Sequence, residues 1–120
     1  MTFMFENLDV YRRAVDLADR VITVTKDAPR GFGFLTDQLN RAVLSISTNL
    51  AEGNGRFTKP DRRKFFIIAR GSTQECAPLI DLAGRHGLIP PDDQEAMRCE
   101  LEEIARMISG LIKGLDKRAT

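Results

Sequence analysis

Polar side chains that could carry chemistry share one face of a predicted helix. Ser45, Asn49 and Glu52 are separated by four and three residues, a spacing that stacks side chains along one stripe of an α-helix. Ser72 and Glu75 form a similar pair in a later segment, where the helical pattern predicts an apolar residue at position 72. Hydroxyl, amide and carboxylate groups in such a stripe could bind a ligand or take part in catalysis.

The sequence lacks the partners that catalysis by these serines needs. A nucleophilic serine requires a base, and the single histidine, His86, follows Ser72 by about 21 Å along a helix that rises about 1.5 Å per residue. One histidine and no C-x-x-C motif cannot supply a zinc site. The E-x-x-H motif of bundle metal sites is also absent. We therefore predict no enzymatic activity, no metal and no cofactor.

A structural role is the interpretation that we favour for the polar stripe. Buried polar groups without partners cost about 1–3 kcal/mol each. We predict that Ser45, Asn49, Glu52, Ser72 and Glu75 form hydrogen bonds between helices and fix their register. A ligand site and an exposed stripe used in subunit contacts remain the alternatives.

The second feature with chemical potential is the basic segment R-F-T-K-P-D-R-R-K at residues 56–64. It carries a net charge of +4, so the rest of the chain sums to −3. Basic side chains, an aromatic ring and the free N–H groups of a helix start can together contact phosphate or RNA. The predicted nucleic-acid-binding residues are Arg56, Lys59, Arg62, Arg63 and Lys64. A merely solvated basic loop is the alternative.

Four segments with the period of a helix must position these groups. In each segment apolar residues recur in alternating steps of three and four, which predicts one apolar seam per helix. We predict helices at about 7–28, 35–53, 60–86 and 92–117, within a single domain covering 1–120. Short glycine- and proline-containing links make consecutive helices antiparallel. The predicted fold is therefore all-α, an up-down-up-down four-helix bundle, with a kink at Pro78 in the third helix.

Composition indicates the class of protein and the cellular location of this bundle. The chain has 42% hydrophobic and 29% charged residues with a net charge of +1, as in a typical globular domain. No apolar run approaches the roughly 18 residues of a membrane helix, and the N-terminus does not resemble a signal peptide. We predict a cytoplasmic protein without membrane contact, in which Cys76 and Cys99 are reduced and serve as small apolar side chains.

More apolar residues occur than one seam per helix can use. These extra residues are Val43, Leu44, Leu50, Phe66, Ile67, Ile68, Ile80, Leu82 and Ile112. A thin isolated bundle would leave several of them in water, so we predict that the protein forms a homo-oligomer.

The motifs S-I-S-T-N-L-A-E-G and G-S-T-Q-E, together with L-D-V-Y-R-R-A near the start, carry a family resemblance. Over about residues 5–115 the chain resembles the bacterial four-helix-bundle family of 23S rRNA intervening-sequence proteins. These are encoded in insertions within rRNA genes or elsewhere in bacterial genomes. The motif positions are Ser45, Asn49, Glu52, Gly53, Gly71, Ser72 and Glu75, to which the family assigns no settled chemistry.

The resemblance implies antiparallel bundles assembled as a homopentamer. The chain is also similar to the accessory proteins of diversity-generating retroelements, which form a basic pentameric barrel that binds nucleic acid and a reverse transcriptase. We therefore predict a non-enzymatic oligomeric protein that associates with rRNA, the ribosome or another nucleic acid through its basic loop. The alternative is a protein–protein scaffold or accessory subunit that makes no direct contact with nucleic acid.

Overall fold

Four α-helices form the fold in the computed structural model, which describes residues 3–117. They are α1 (Asp9–Thr25), α2 (Gly33–Asn54), α3 (Lys59–Arg85) and α4 (Pro91–Lys117). Two short 3-10 helices, Met4–Asn7 and Arg30–Phe32, precede α1 and α2. No strand occurs within the described residues, and the all-α prediction is confirmed.

Consecutive helices lie side by side and antiparallel because the links between them are short. Residues 26–32, 55–58 and 86–90 make the three connections. The helix α1 packs on α2, α2 on α3 and α3 on α4, and α4 closes the bundle against α1. The result is an elongated up-down-up-down bundle of 50 × 28 × 21 Å, in which the α2–α3 link and the N-terminal segment share one end.

The core is a continuous set of aliphatic side chains contributed by all four helices. Of the apolar residues that exceed one seam per helix, Val43, Leu50, Phe66 and Ile80 are buried in this core. A helix that packs against two neighbours buries a wider stripe than a single seam, which explains their burial. The others include Leu44, Ile67, Ile68 and Leu82, which remain exposed.

The helix boundaries follow local backbone chemistry. Thr58 caps α3, because its Oγ1 accepts a hydrogen bond from the Asp61 N–H at 3.3 Å, and Pro60 lies in the first turn. The helix α1 ends at Thr25. It does not reach the predicted end near residue 28, where a proline at 29 disfavours helical geometry in the residue before it. Gly87 lies two residues after the end of α3 and has a φ of 72°. This left-handed conformation, which glycine adopts readily, ends the helix and turns the chain away from it.

Pro78 is accommodated inside α3, which runs as one α-helix from Lys59 to Arg85. A proline at this position cannot donate to the carbonyl of Gln74, four residues earlier. Both Gln74 and Pro78 are exposed, so water can bond that carbonyl. The predicted kink stays a prediction.

The two cysteines differ in their surroundings. Cys76 is fully buried in the core, and burial, assisted by the nearby charge of Glu75, raises the pKa of its thiol to about 12. Cys99 is exposed, so the expectation that both act as small apolar side chains is wrong for Cys99. It lies on the outward face of α4, away from the seam formed by Met97, Leu101 and Ile104.

Helices α2 and α3 approach each other closely at Gly53. A Cβ atom built on Gly53 would lie 2.8 Å from Cε1 of Phe66 and 3.0 Å from Cβ of Phe65. Phe66 is buried and cannot move aside freely. The glycine of the N-L-A-E-G motif is therefore required by packing.

We expect Gly53→Ala to destabilise the protein by about 1–3 kcal/mol, because the added methyl group overpacks the contact with Phe66. The matched control is Gly110→Ala, since Gly110 is an exposed glycine inside α4 with open space around its Cα. The control should stabilise the fold by about 0.5–1 kcal/mol through helix propensity. Urea unfolding of both variants measures the difference, and equal effects would contradict the packing role of Gly53.

Candidate nucleic-acid interface

A hydroxyl pair joins the middle of α2 to the middle of α3. The Oγ atoms of Ser45 and Ser72 lie 2.8 Å apart, and either can donate the hydrogen bond. Asn49 donates from Nδ2 to the Ser45 carbonyl at 2.8 Å and to the Ser45 hydroxyl at 2.9 Å. Ser72 is buried, whereas Ser45 and Asn49 are half-buried. The three side chains therefore satisfy one another at the helix interface.

The two carboxylates of the predicted polar set lie outside this network. Glu52 is exposed and forms an ion pair at 3.0 Å with Arg56, one helical turn away. Glu75 is exposed on α3. The predicted hydrogen-bonded set of five is thus a set of three in the structure, because both glutamates point outward on their helices.

In the part of the chain that the structure describes, the hydroxyls of Ser45 and Ser72 contact each other and Asn49 and have no histidine or carboxylate as a hydrogen-bond partner. His86 is the residue that follows the end of α3, and its ring lies 5.3 Å from that of Phe32 in the α1–α2 link. Within residues 3–117 no group of three or more His, Cys, Asp or Glu side chains could hold a metal ion. The geometry around Ser45 and Ser72 is that of an interhelical contact.

The basic loop that joins α2 to α3 is held by its own side chains. Arg62 donates from Nε to the carbonyl of Arg56 at 2.7 Å, which ties the first turn of α3 back to the loop. The guanidinium of Arg56 lies 4.7 Å from the centre of the Phe65 ring, a favourable cation–π distance. Together with the ion pair to Glu52, these contacts fix the loop before any ligand arrives.

The remaining basic residues of the segment face different sides of α3. Arg63 reaches the end of α4 and pairs with Asp116 at 3.3 Å. Lys64 is exposed, with its amino group 5.6 Å from the centre of the Phe65 ring, and Lys59 is half-buried. All five predicted residues therefore share one end of the bundle but form no single flat patch.

Two further cations extend this basic surface along α3 and α4. Arg70 and Lys113 line a cavity of about 340 Å³ together with Arg63, Ser109 and Asp116. The sequence contained a signal for Arg70, since it follows Arg63 by seven residues and so shares its helix face. Lys113 carried no such signal, because only the antiparallel packing of α4 on α3 brings it near.

Ion pairs on the α1–α4 side involve Glu100 and Glu103, two of the glutamates of α4. Glu100 accepts from Arg13 at 2.8 and 3.0 Å, and this bidentate contact raises the pKa of Arg13. Glu103 bonds to Arg106 and also faces Arg13, which lowers the pKa of its carboxyl group.

Within the described residues, no helix has the length and apolar content that a membrane crossing requires.

Comparison with known proteins gives a family and a fold. The family model described as "23S rRNA-intervening sequence protein" matches residues 6–110. A protein of unknown function from the S23 ribosomal protein family of Bacteroides thetaiotaomicron has a similar solved structure, with a TM-score of 0.80. That likeness covers 92% of this chain and 99% of the other at 21% sequence identity, so it supports the shared bundle fold. No curated protein matches the sequence.

We expect the Ser45–Ser72 contact to show energetic coupling in a double-mutant cycle. Each single change, Ser45→Ala or Ser72→Ala, should cost about 1 kcal/mol because the partner hydroxyl loses its hydrogen bond. The double variant should cost less than the sum by about 0.5–1.5 kcal/mol, measured by denaturant unfolding.

The control cycle pairs Ser45→Ala with Ser109→Ala. Ser109 lies on α4, which does not pack on α2, so these two effects should add within about 0.5 kcal/mol. Additivity in both cycles would show that the serine contact does not stabilise the fold.

Proposed function

Because the chain belongs to the family of 23S rRNA-intervening sequence proteins, we propose that it is a non-enzymatic, self-associating bundle that contacts rRNA or another nucleic acid. The contact surface is the basic end of α3. The observation that carries this proposal is the concentration of Arg56, Arg62, Arg63 and Lys64 at one end of the bundle. Arg70 and Lys113 continue this basic surface from Arg63 along α3 and α4.

Electrostatics supports a polyanion as the ligand of this end. The chain as a whole is close to neutral, with net charge +1, yet residues 56–64 alone carry +4. Concentrated positive charge attracts phosphates and releases their counterions on binding. The N-terminus of α3 adds the positive end of its dipole in the same place.

Self-association is part of the same proposal, as the homopentamer that the family resemblance implies. An exposed stripe follows α3 in steps of three and four, made of Ile68, Gly71, Glu75, Pro78 and Leu82. It has the period of a helix-packing seam, yet no residue between positions 3 and 117 covers it. We infer that a second copy covers this stripe, and that the assembly works in the cytoplasm, where its RNA is found.

The exposed stripe also supports a second candidate function. Its apolar residues could bind a different protein, which would make the chain a scaffold or an accessory subunit, as in the retroelement accessory proteins that it resembles. A partner captured from cell extract that stays bound after nuclease treatment would favour this candidate. A partner released by nuclease favours the RNA-binding proposal.

For RNA binding, we expect Arg62/Arg63/Lys64→Ala to weaken the affinity for a fluorescein-labelled oligouridine. The negative slope of the logarithm of the association constant against the logarithm of the salt concentration should become shallower by about 2, because three phosphate contacts are lost. Fluorescence anisotropy between about 50 and 200 mM salt measures the slope.

The matched control removes the same charge from the opposite end of the bundle. Lys26, Arg30 and Arg85 are exposed there, and Lys26/Arg30/Arg85→Ala should bind RNA as the parent protein does. The proposal fails if the parent protein binds no RNA at low salt, or if both triple variants lose affinity equally.

For self-association, we expect Ile68→Glu to shift the oligomer to smaller species in light scattering after size exclusion, because the substitution replaces an apolar contact with a charge that has no partner between copies. Ile22→Glu is the control, since Ile22 on α1 has the same exposed fraction of 40% as Ile68. Dissociation by both substitutions, or by neither, would contradict an interface on the α3 stripe.

A further inference from the structure

A cavity lined by aromatic rings lies at the basic end of the bundle. Its volume is about 350 Å³, within the range of small-ligand sites. The N-terminal segment, the last turn of α2 and the α2–α3 link enclose it. The side chains that matter for its chemistry are Phe3, Phe5, Phe57, Asn54, Arg56 and Arg62.

Phe3 and Phe5 form a stacked pair of rings on one side of the cavity, and Phe57 lies exposed on the other. Phe3 stacks on Phe5 with ring centres 5.4 Å apart and an angle of 10° between the planes. Phe5 is held in turn by the edge of Tyr11, with ring centres 4.9 Å apart. Phe3 remains 62% exposed, and Phe57 across the cavity is 99% exposed. A planar group could therefore stack on these rings without displacing any of them.

The polar atoms of the cavity favour an anion attached to that planar group. Among the described residues, the cavity lining includes two guanidinium groups and no carboxylate, whereas the Arg63 cavity on the other side of α3 includes Asp116. Glu52 neutralises part of Arg56 from outside the lining. Arg62 uses its Nε on the Arg56 carbonyl, and among the described residues its terminal nitrogens have no partner. The Nε of Arg56 is buried and also has no hydrogen-bond partner there.

We propose that this cavity binds one unstacked nucleotide of single-stranded RNA, with the base against Phe3 and Phe57 and the phosphate on Arg62. The inference rests on the proposed function and adds the form of the RNA. A base paired inside a duplex shows only its edges to a protein, so stacking on phenyl rings requires an unstacked base such as a single strand provides. The amide of Asn54 offers both a donor and an acceptor to the edge of the base.

A tryptophan substitution tests base stacking directly, because the chain contains no tryptophan. We expect oligouridine to quench the emission of the Phe57→Trp protein, since the base lies on the ring, and a blunt RNA duplex of similar length to leave it unquenched. Phe34→Trp is the control. Phe34 is 74% exposed at the start of α2, at the opposite end of the bundle, and its substitute should not respond to either RNA.

Truncation of the ring gives a second readout. Phe57→Ala should lower the affinity for oligouridine about tenfold in anisotropy, whereas Phe34→Ala should leave it unchanged. Circular dichroism verifies that both variants are folded. Both positions are solvent-exposed, so neither removes a core side chain.

The outcomes separate this inference from the function on which it rests. If the parent protein binds neither RNA, the proposed function and the nucleotide site both fail. If Arg62/Arg63/Lys64→Ala loses RNA binding but Phe57→Trp is not quenched and Phe57→Ala binds as tightly as the parent, RNA binding stands and the nucleotide site is overturned. Equal quenching by the duplex would overturn it as well.

Discussion

The close approach of α2 and α3 is the contact on which the rest of the structure depends. Gly53 leaves room for the Phe66 ring at the loop end of this pair, and the Ser45–Ser72 bond fixes the register at its centre. Dispersion contacts need such proximity, because they weaken steeply when a gap opens. A bulkier residue at 53 would separate the helices and would move the link between them.

The position of that link decides where the positive charge lies. The link has only residues 55–58, so its conformational freedom is small. The hydrogen bond from Arg62 to the Arg56 carbonyl holds it against α3. A loop that is ordered before binding loses less conformational entropy when a ligand arrives. The same helix pair that builds the core thus presents a rigid basic end to solvent.

Contacts with neighbouring carboxylates and rings determine how readily each cation of the basic end can bind a phosphate. Arg63 is paired with Asp116, but both side chains are about half exposed, and exposed pairs are worth only about 0–1 kcal/mol. A phosphate can therefore replace Asp116 at small cost. Arg56 contacts both Glu52 and the Phe65 ring, which holds the loop in place, while Arg62 and Lys64 are the freer cations.

The sequence by itself determined the helices, their antiparallel order and the basic segment, because periodicity, capping and loop length act over a few residues. It predicted that Ser45, Asn49 and Ser72 would be bonded between helices, but it could not exclude Glu52 and Glu75, which follow the same spacing. Only the tertiary structure decided which neighbour each face meets. Two examples are the pairing of Lys113 with Arg63 in one cavity and of Phe3 with Phe57 in another. The residues of each pair are about fifty positions apart in the sequence. Such pairings depend on how the helices pack side by side, and this packing cannot be predicted from patterns that extend over only a few residues.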